Sequence, residues 1–150
     1  MLLEKDVLHN VYLGLGSNLG DRRKNISDAI TNIEKRIGKV VALSAFYVTE
    51  PEGFDSENQF LNAACKVETS MWPMLLLRET QRIERKMGRK TKSVDGIHTD
   101  RIIDIDILLF DNLIIKEKEL ILPHPHLHER SFVLIPLFEI AKDYVHPLLG

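Results

Sequence analysis

The chain has 150 residues, of which 28% are charged, and its formal net charge is −2. This length predicts a single domain over residues 1–150 with a substantial hydrophobic core. The near-neutral charge gives no indication of a nucleic-acid partner, and no apolar run is long enough to cross a membrane.

Two short segments indicate the cellular compartment of the protein and the role of its cysteine. Residues 1–6 are too short and too charged for a signal peptide, so we expect a cytoplasmic protein. The single cysteine, Cys65, lies in an apolar run with no basic neighbour in sequence to lower its pKa. These features predict a buried structural thiol rather than a nucleophile.

A first strand is predicted over residues 7–15, because apolar residues there alternate with Tyr12 and Gly14. A glycine-rich segment, 14–21, follows with the spacing G-x-G-x-x-x-G. Dinucleotide-binding turns have one residue fewer in this spacing, and an acidic residue at the end of a second strand about 20 positions later, which is missing here. The glycines therefore predict a turn with positive φ or a close backbone approach.

The next three elements are a helix, a strand and a loop. Apolar residues at helical spacing predict an amphipathic helix that ends at Gly38, with an inner face of Ile26, Ala29, Ile30, Ile33 and Ile37. Residues 39–49 are rich in β-branched and aromatic side chains and predict one strand. Residues 50–58 contain many turn formers without periodicity and predict a loop.

A third strand is predicted over 59–69, and a second helix begins near Pro73 and ends at Gly88. The inner face of this helix is predicted to contain Leu76, Thr80, Ile83 and Met87. Residues 89–100 form a second long loop with several cationic side chains.

The strand predicted over residues 101–110 contains two carboxylates inside an apolar run. Asp104 and Asp106 are two positions apart, so they share one face of the strand with Ile102 and Leu108. The opposite face is predicted to point into the core with Ile103, Ile105, Ile107 and Leu109. Two carboxylates this close favour a bound Mg²⁺ ion, although a solvated polar face remains the alternative.

The C-terminal part predicts a turn at residues 111–112, short strands at 113–115 and 120–122, and a final helix with Pro136 near its start. The helix is indicated by Phe132, Leu134, Leu137, Phe138 and Ala141. Three alternating histidines at 124–128 could indicate zinc, but the intervening prolines and the missing cysteines argue against it.

The predicted order of strand, helix, strand, strand, helix, strand is typical of a ferredoxin-like α+β fold. We expect a βαββαβ core with a mostly antiparallel sheet, helices on one face, and extra C-terminal strands and a helix. A site on the other face would then be covered by the two long loops and the C-terminal segment.

The ordered motifs of the chain resemble those of 6-hydroxymethyl-7,8-dihydropterin pyrophosphokinases, which act in folate biosynthesis. The resemblance covers nearly the whole chain and rests on residues 12–21, 46–53, 60–63, 81–84, 88–89, 101–106, 123–124 and 138–141. It implies ATP and this pterin as partners, diphosphate transfer to the pterin's hydroxymethyl group, and release of AMP. It also implies two Mg²⁺ ions, bound with ATP by Asp104 and Asp106.

The resemblance also assigns roles to individual residues. Catalysis would involve Arg89, Arg101, Asp104 and Asp106. Contacts with ATP would come from Gln81, Glu84, Arg89, Arg101, Ile107, His124 and Arg130. Contacts with the pterin would come from Thr49, Glu50, Glu52, Phe60, Asn62 and Phe132, with the two phenylalanines stacking on its ring. Residues 98–100 depart from the family's usual Trp-Gly-Pro run, so no ligand is assigned within 90–100.

Two other classes of protein are compatible with parts of this pattern. An RNA-binding sheet would need basic and aromatic residues on its open face, where this chain has two aspartates. A metal-dependent phosphohydrolase could also use the two aspartates but would need no pterin. We expect a monomer without nucleic-acid or membrane partners.

Overall fold

The computed structural model describes residues 7–49, 59–88, 102–125 and 131–141, with residues 131 and 132 described by their backbone alone. The loops predicted at 50–58 and 89–100 lie outside these ranges. The elements in chain order are β1 (His9–Ser17), α1 (Arg22–Arg36), β2 (Lys39–Leu43), β3 (Tyr47–Thr49), β4 (Phe60–Thr69), α2 (Pro73–Lys86), β5 (Asp104–Phe110), β6 (Ile115–Lys116), β7 (Ile121–Leu122) and α3 (Ser131–Ala141).

A five-stranded sheet forms the centre of the fold. Its order is β2-β4-β1-β5, and the short β3 pairs with β4 beyond the end of β2. Every pairing between its described strands is antiparallel, which confirms the predicted mostly antiparallel sheet. Strands β6 and β7 form a separate antiparallel hairpin. Because β1 lies between β4 and β5, residues far apart in sequence meet on neighbouring strands.

The single strand predicted over 39–49 is wrong, because the chain breaks at Ser44. The Ser44 backbone N–H donates to the Ala64 carbonyl at 2.9 Å, and the Ala64 N–H donates to the Ser44 hydroxyl at 2.9 Å. The hydroxyl in turn donates to the carbonyl of Ala45 at 2.7 Å. A side chain therefore replaces one backbone acceptor, and the chain steps from β2 to β3 without leaving β4.

Helices α1 and α2 pack on one face of the sheet and form the main core with it. Asp21 caps α1 by accepting from the Lys24 N–H at 3.1 Å. Gly38 follows α1 because a Cβ there would lie 2.0 Å from the Glu68 carbonyl oxygen. The main core includes Val11, Leu13, Leu15, Ile26, Ala29, Ile33, Leu61, Ala63, Val67, Leu76, Ile83, Ile103, Ile105, Ile107 and Phe110.

The alternation predicted for β5 holds as far as Ile107 and then fails at Leu109. The register with β1 shifts between Tyr12 and Leu13, which adds one residue to β5 at that point. As a result Leu108 and Leu109 both join a second cluster on the other face of the sheet, and Phe110 returns to the main core. This β-bulge corrects the predicted inward orientation of Leu109.

Helix α3 packs on the face opposite to α1 and α2. It closes the second cluster, whose buried members are Tyr12, Ala64, Leu108, Leu109 and Leu137. The predicted helix is confirmed, but Pro136 lies inside it rather than near its start. Phe138 is 67% exposed, so it does not contribute to this packing.

Two smaller predictions have definite outcomes. The strand predicted at 113–115 is shorter than expected, since Leu113 and Ile114 are exposed and only Ile115 enters β6. Cys65 is fully buried, as predicted, and burial raises the pKa of its thiol to about 12. Among the helices in the described ranges, none is long and apolar enough to cross a membrane.

Candidate active site

The two aspartates of β5 lie on the sheet face that α3 also uses. Their neighbours Ile103, Ile105 and Ile107 are buried in the main core, so Asp104 and Asp106 point away from α1 and α2. Both are half-buried. This placement confirms that the pair shares one face of a strand.

The partners of the two aspartates on β1 are glycines. Asp104 pairs with Gly16, and Asp106 pairs with Gly14. Cross-strand partners project on the same side of a sheet, so the face beside each carboxylate has no β1 side chain. We call this strip of β1, from which no side chain projects between β5 and β4, the trough.

A row of four residues crosses the sheet at this level. Gly16 pairs with Asp104 on one side and Asn62 on the other, and Asn62 pairs with Tyr47. A Cβ on Gly16 would lie 2.9 Å from the Asn62 Oδ1 and 3.6 Å from a ring atom of Phe60. The amide and the aromatic ring therefore border the trough directly.

Three of the residues assigned to the pterin come together at this border. The Asn62 Nδ2 donates to the Thr49 Oγ1 at 2.6 Å, which fixes the orientation of the amide. Asn62 is 7% exposed, and Phe60 is half-buried two positions before it on the same face of β4. The carboxylates and the amide thus stand on opposite sides of Gly16.

Glu84 approaches β5 from α2. Its side chain is 2% exposed, and its Oε2 accepts from the backbone N–H of Ile105 at 2.8 Å. Since Ile105 lies between the two aspartates, this bond connects α2 to the centre of the acidic segment. Gln81, which is also assigned to ATP, lies one turn earlier on α2 and is half-buried.

Ile107 and His124 were both assigned to ATP, and they occupy different environments. The Ile107 side chain is buried in the main core, so it faces away from the aspartates and leaves only its backbone for a ligand. The His124 backbone N–H donates to the Leu108 carbonyl at 3.0 Å, which holds this half-buried residue beside β5. A cis peptide bond joins Leu122 to Pro123 just before it.

The remaining assigned residues lie outside the described part of the chain. They are Arg89, Arg101, Arg130, Glu50, Glu52 and the side chain of Phe132. In the described ranges, no group of three or more histidine, cysteine, aspartate or glutamate residues is placed to hold a metal ion. The roles of these residues stay predictions.

The glycine-rich segment turns the chain from β1 into α1 at one end of the trough. Gly20 has φ of +69°, which confirms the predicted turn with positive φ. The Asn25 Nδ2 donates to the Leu19 carbonyl at 2.8 Å and to the Ser17 hydroxyl at 3.2 Å. The Arg22 guanidinium donates to the Gln59 carbonyl at 2.8 Å, just before Phe60. The first turn of α1 therefore braces both the glycine-rich segment and the start of β4.

Sequence reasoning assigned no role to Glu139, although this residue connects α3 to the sheet. The Tyr47 hydroxyl donates to its Oε1 at 2.5 Å, and the Ala45 N–H donates to its Oε2 at 2.9 Å. The bond to Glu139 raises the pKa of Tyr47. The only sequence signal was a glutamate within the last matching motif, because its contacts are distant in sequence.

The family model described as 7,8-dihydro-6-hydroxymethylpterin-pyrophosphokinase (HPPK) matches residues 12–142. A 2-amino-4-hydroxy-6-hydroxymethyldihydropteridine pyrophosphokinase of Porphyromonas gingivalis is 46% identical over 138 residues, covering 91% of this chain and 93% of that protein. The protein of the same name from Aquifex aeolicus is 41% identical over 138 residues, covering 92% and 84%.

Solved structures show the same fold. A Plasmodium falciparum HPPK-DHPS structure with SDX-DHP superposes with a TM-score of 0.77 at 17% identity. The match covers 96% of this chain and 43% of that one, so the chain spans less than half the length of this solved relative.

Proposed function

Because the chain belongs to the 7,8-dihydro-6-hydroxymethylpterin-pyrophosphokinase family, we propose that it is a pyrophosphokinase of folate biosynthesis. It transfers diphosphate from ATP to the hydroxymethyl group of 6-hydroxymethyl-7,8-dihydropterin and releases AMP. The observation that carries this proposal is the trough at Gly16, with Asp104 on one side and Asn62 on the other. Two carboxylates therefore lie on one side of the trough, and a polar amide next to an aromatic ring lies on the other side.

The pterin would occupy the side of the trough formed by β3 and β4. Asn62 suits the edge of the ring, since an amide presents both donors and an acceptor. Its bond to Thr49 keeps the amide in one orientation. Phe60 would stack on one face of the ring and Phe132 on the other, with backbone groups of Glu50 and Glu52 at its edge.

Two Mg²⁺ ions would be held with ATP by Asp104 and Asp106. The donor set fits this ion, because both carboxylates lie on one face of β5 and supply the oxygen ligands that Mg²⁺ prefers. When bound, Mg²⁺ neutralises charge on the phosphates during the transfer. The chain itself supplies the fixed separation between the carboxylates and the pterin edge.

The nucleotide would lie along β5, and Gln81, Glu84, the Ile107 backbone and His124 would contact it. Arg89, Arg101 and Arg130 would bind its phosphates, for which the guanidinium fork is well suited. The pterin's hydroxyl oxygen attacks the β-phosphorus, and the bond to the α-phosphate oxygen of AMP breaks. Such a transfer depends mainly on positioning and electrostatics, and the buried Cys65 takes no part.

The architecture and cellular setting are part of the same proposal. The strand order and antiparallel pairings support a ferredoxin-like core, in which β2 and β3 together replace one strand. We expect a cytoplasmic monomer without nucleic-acid or membrane partners. An RNA-binding sheet is disfavoured because two carboxylates occupy the face that RNA would need.

One assay tests the proposed activity against a phosphohydrolase. Purified protein receives ATP and Mg²⁺ with or without 6-hydroxymethyl-7,8-dihydropterin, and AMP, pterin diphosphate, phosphate and pyrophosphate are measured. Pterin-dependent AMP release, in equal amount to the pterin diphosphate, supports the pyrophosphokinase. Phosphate or pyrophosphate release that is indifferent to the pterin would favour the hydrolase and reject the proposal.

A further inference from the structure

We propose that Glu139 is a positioning residue for the pterin half of the site, because its carboxylate ties α3 to the β3 residue that pairs with Asn62. This inference rests on the proposed function, since it concerns the same trough. It adds a residue that touches neither substrate and acts through α3 and β3.

Both oxygens of the Glu139 carboxylate are used on one short segment. Oε1 accepts from the Tyr47 hydroxyl, and Oε2 accepts from the Ala45 N–H. A carboxylate held at both oxygens is fixed in rotation as well as in position. We call this pair of bonds the Glu139 clamp.

Apolar packing holds α3 along one stripe of the helix. Leu137 is buried in the second cluster, and Val133, Leu134, Ile140 and Ala141 pack against that cluster, whereas Ile135 and Phe138 are 52% and 67% exposed. Apolar contacts lack directionality, so a helix packed along one stripe can roll about its axis at modest cost. The Glu139 clamp supplies the directional contact that limits this motion.

The two ends of the clamp lead to opposite walls of the pterin site. Tyr47 pairs with Asn62, and Thr49, which holds the Asn62 amide, lies two residues after Tyr47 on the same face of β3. On α3, position 132 precedes Glu139 by about two helical turns. The clamp therefore sets the helix that begins near Phe132 against the strand that orients Asn62.

This role predicts a separation between stability and substrate binding. The clamp is solvent-exposed, and exposed polar contacts contribute little to folding. Its loss should therefore weaken pterin binding more than it lowers the thermal midpoint. A residue with only a structural role would lower the thermal midpoint and impair both substrates together.

The test compares Glu139→Ala, Glu139→Gln and Tyr47→Phe with Glu34→Ala, which removes an exposed glutamate of α1 on the opposite face. We expect Glu139→Ala to raise the pterin KM about tenfold, the loss of one to two hydrogen bonds, with the ATP KM changed less than about twofold. Tyr47→Phe should raise the pterin KM about threefold. Glu139→Gln should recover part of the loss, because its amide oxygen can accept from the Ala45 N–H while its amide nitrogen donates to the Tyr47 hydroxyl oxygen.

Three outcomes would overturn the inference: a pterin KM in Glu139→Ala equal to that of Glu34→Ala, parallel rises in both KM values, or no recovery with glutamine. Wild-type protein without pterin-dependent AMP release would instead reject the proposed function. Amide hydrogen exchange at Ala45, measured without ligands, then tests the clamp alone. Faster exchange in Glu139→Ala supports it, and unchanged exchange contradicts it.

Discussion

The buried carboxylate of Glu84 accepts a hydrogen bond from the backbone nitrogen of Ile105 at 2.8 Å, midway between Asp104 and Asp106. Strand β5 is at one end of the described sheet order, so this N–H faces away from β1. The helix therefore satisfies a strand group that no other strand in the described residues reaches. The same bond fixes the backbone from which both aspartates project.

Two replacements of Glu84 distinguish the effect of its hydrogen-bond acceptor on stability from the effect of its charge. We expect Glu84→Ala to lower the free energy of unfolding by about 1–3 kcal/mol, because the Ile105 N–H is left buried without this acceptor. Glu84→Gln retains an acceptor oxygen and should lose less. Urea unfolding of both variants measures the difference, and equal losses would show that the hydrogen bond is not the stabilising contact.

Replacement of either aspartate should abolish the transfer without unfolding the protein. Asp104→Asn and Asp106→Asn each remove a proposed magnesium ligand, so we expect AMP release to fall at least about 100-fold, or about 3 kcal/mol. Far-UV circular dichroism should show that both variants stay folded.

The control for this pair is Asp28→Asn, which breaks a surface ion pair with Lys24 on α1. Its AMP release should match wild type. Calorimetric titration of Mg²⁺ with a non-hydrolysable ATP analogue should show weakened binding in the two site variants alone. Normal turnover in either site variant would contradict the proposed magnesium seat.

The two trough glycines offer a matched pair for the pterin. In Gly16→Ala the new Cβ would lie 2.9 Å from the Asn62 Oδ1, so the amide must shift and its ring contact weakens. We expect the pterin KM to rise about tenfold, the value of one lost hydrogen bond. In Gly14→Ala the Cβ would meet Leu108 at 3.4 Å, an ordinary contact.

Steady-state kinetics with pterin as the varied substrate should therefore distinguish the two alanine variants. A smaller change in Gly14→Ala than in Gly16→Ala would support the position of the pterin beside Asn62. A larger change in Gly14→Ala would place the ring nearer Asp106 instead.

Burial of Cys65 predicts that the stability of the folded protein decreases at high pH. Its pKa is raised from 9.0 to about 12 in the folded protein. Below pH 9 the thiol is neutral in both the folded and the unfolded chain, and burial of this neutral thiol stabilises the folded state. Between pH 9 and 12 the unfolded chain binds fewer protons than the folded one, so stability falls as pH rises. Iodoacetamide at pH 8 should leave the native thiol unmodified and label it in urea. Rapid labelling of native protein would show that the site opens.

Apolar patterns within a segment correctly predicted the helices and strands whose inner face stays in the core along their whole length. The apolar periodicity of α1 and the alternation in β1 required no knowledge of other segments. The errors occurred where a distant partner decides the geometry. Ser44 interrupts the second strand through its bonds to Ala64, and a bulge against β1 reverses Leu109.

The candidate site divides in the same way. Asp104 and Asp106 could be placed together from their spacing, because two positions on a strand share a face. Their relation to Asn62 depends on two registers through Gly16, which spacing within one strand cannot predict. Glu139 contacts residues distant in sequence, so its role became visible only after α3 was placed on the sheet.

The central position of β1 also has a consequence for folding during synthesis. This strand is made before the other described strands, yet one of its neighbours, β5, is among the later of them. Until β5 emerges, one edge of β1 has no strand partner and can pair with other chains. Because Gly16 joins Asp104 to Asn62 through this late pairing, a nascent chain can form α1 and α2 well before it assembles the candidate site.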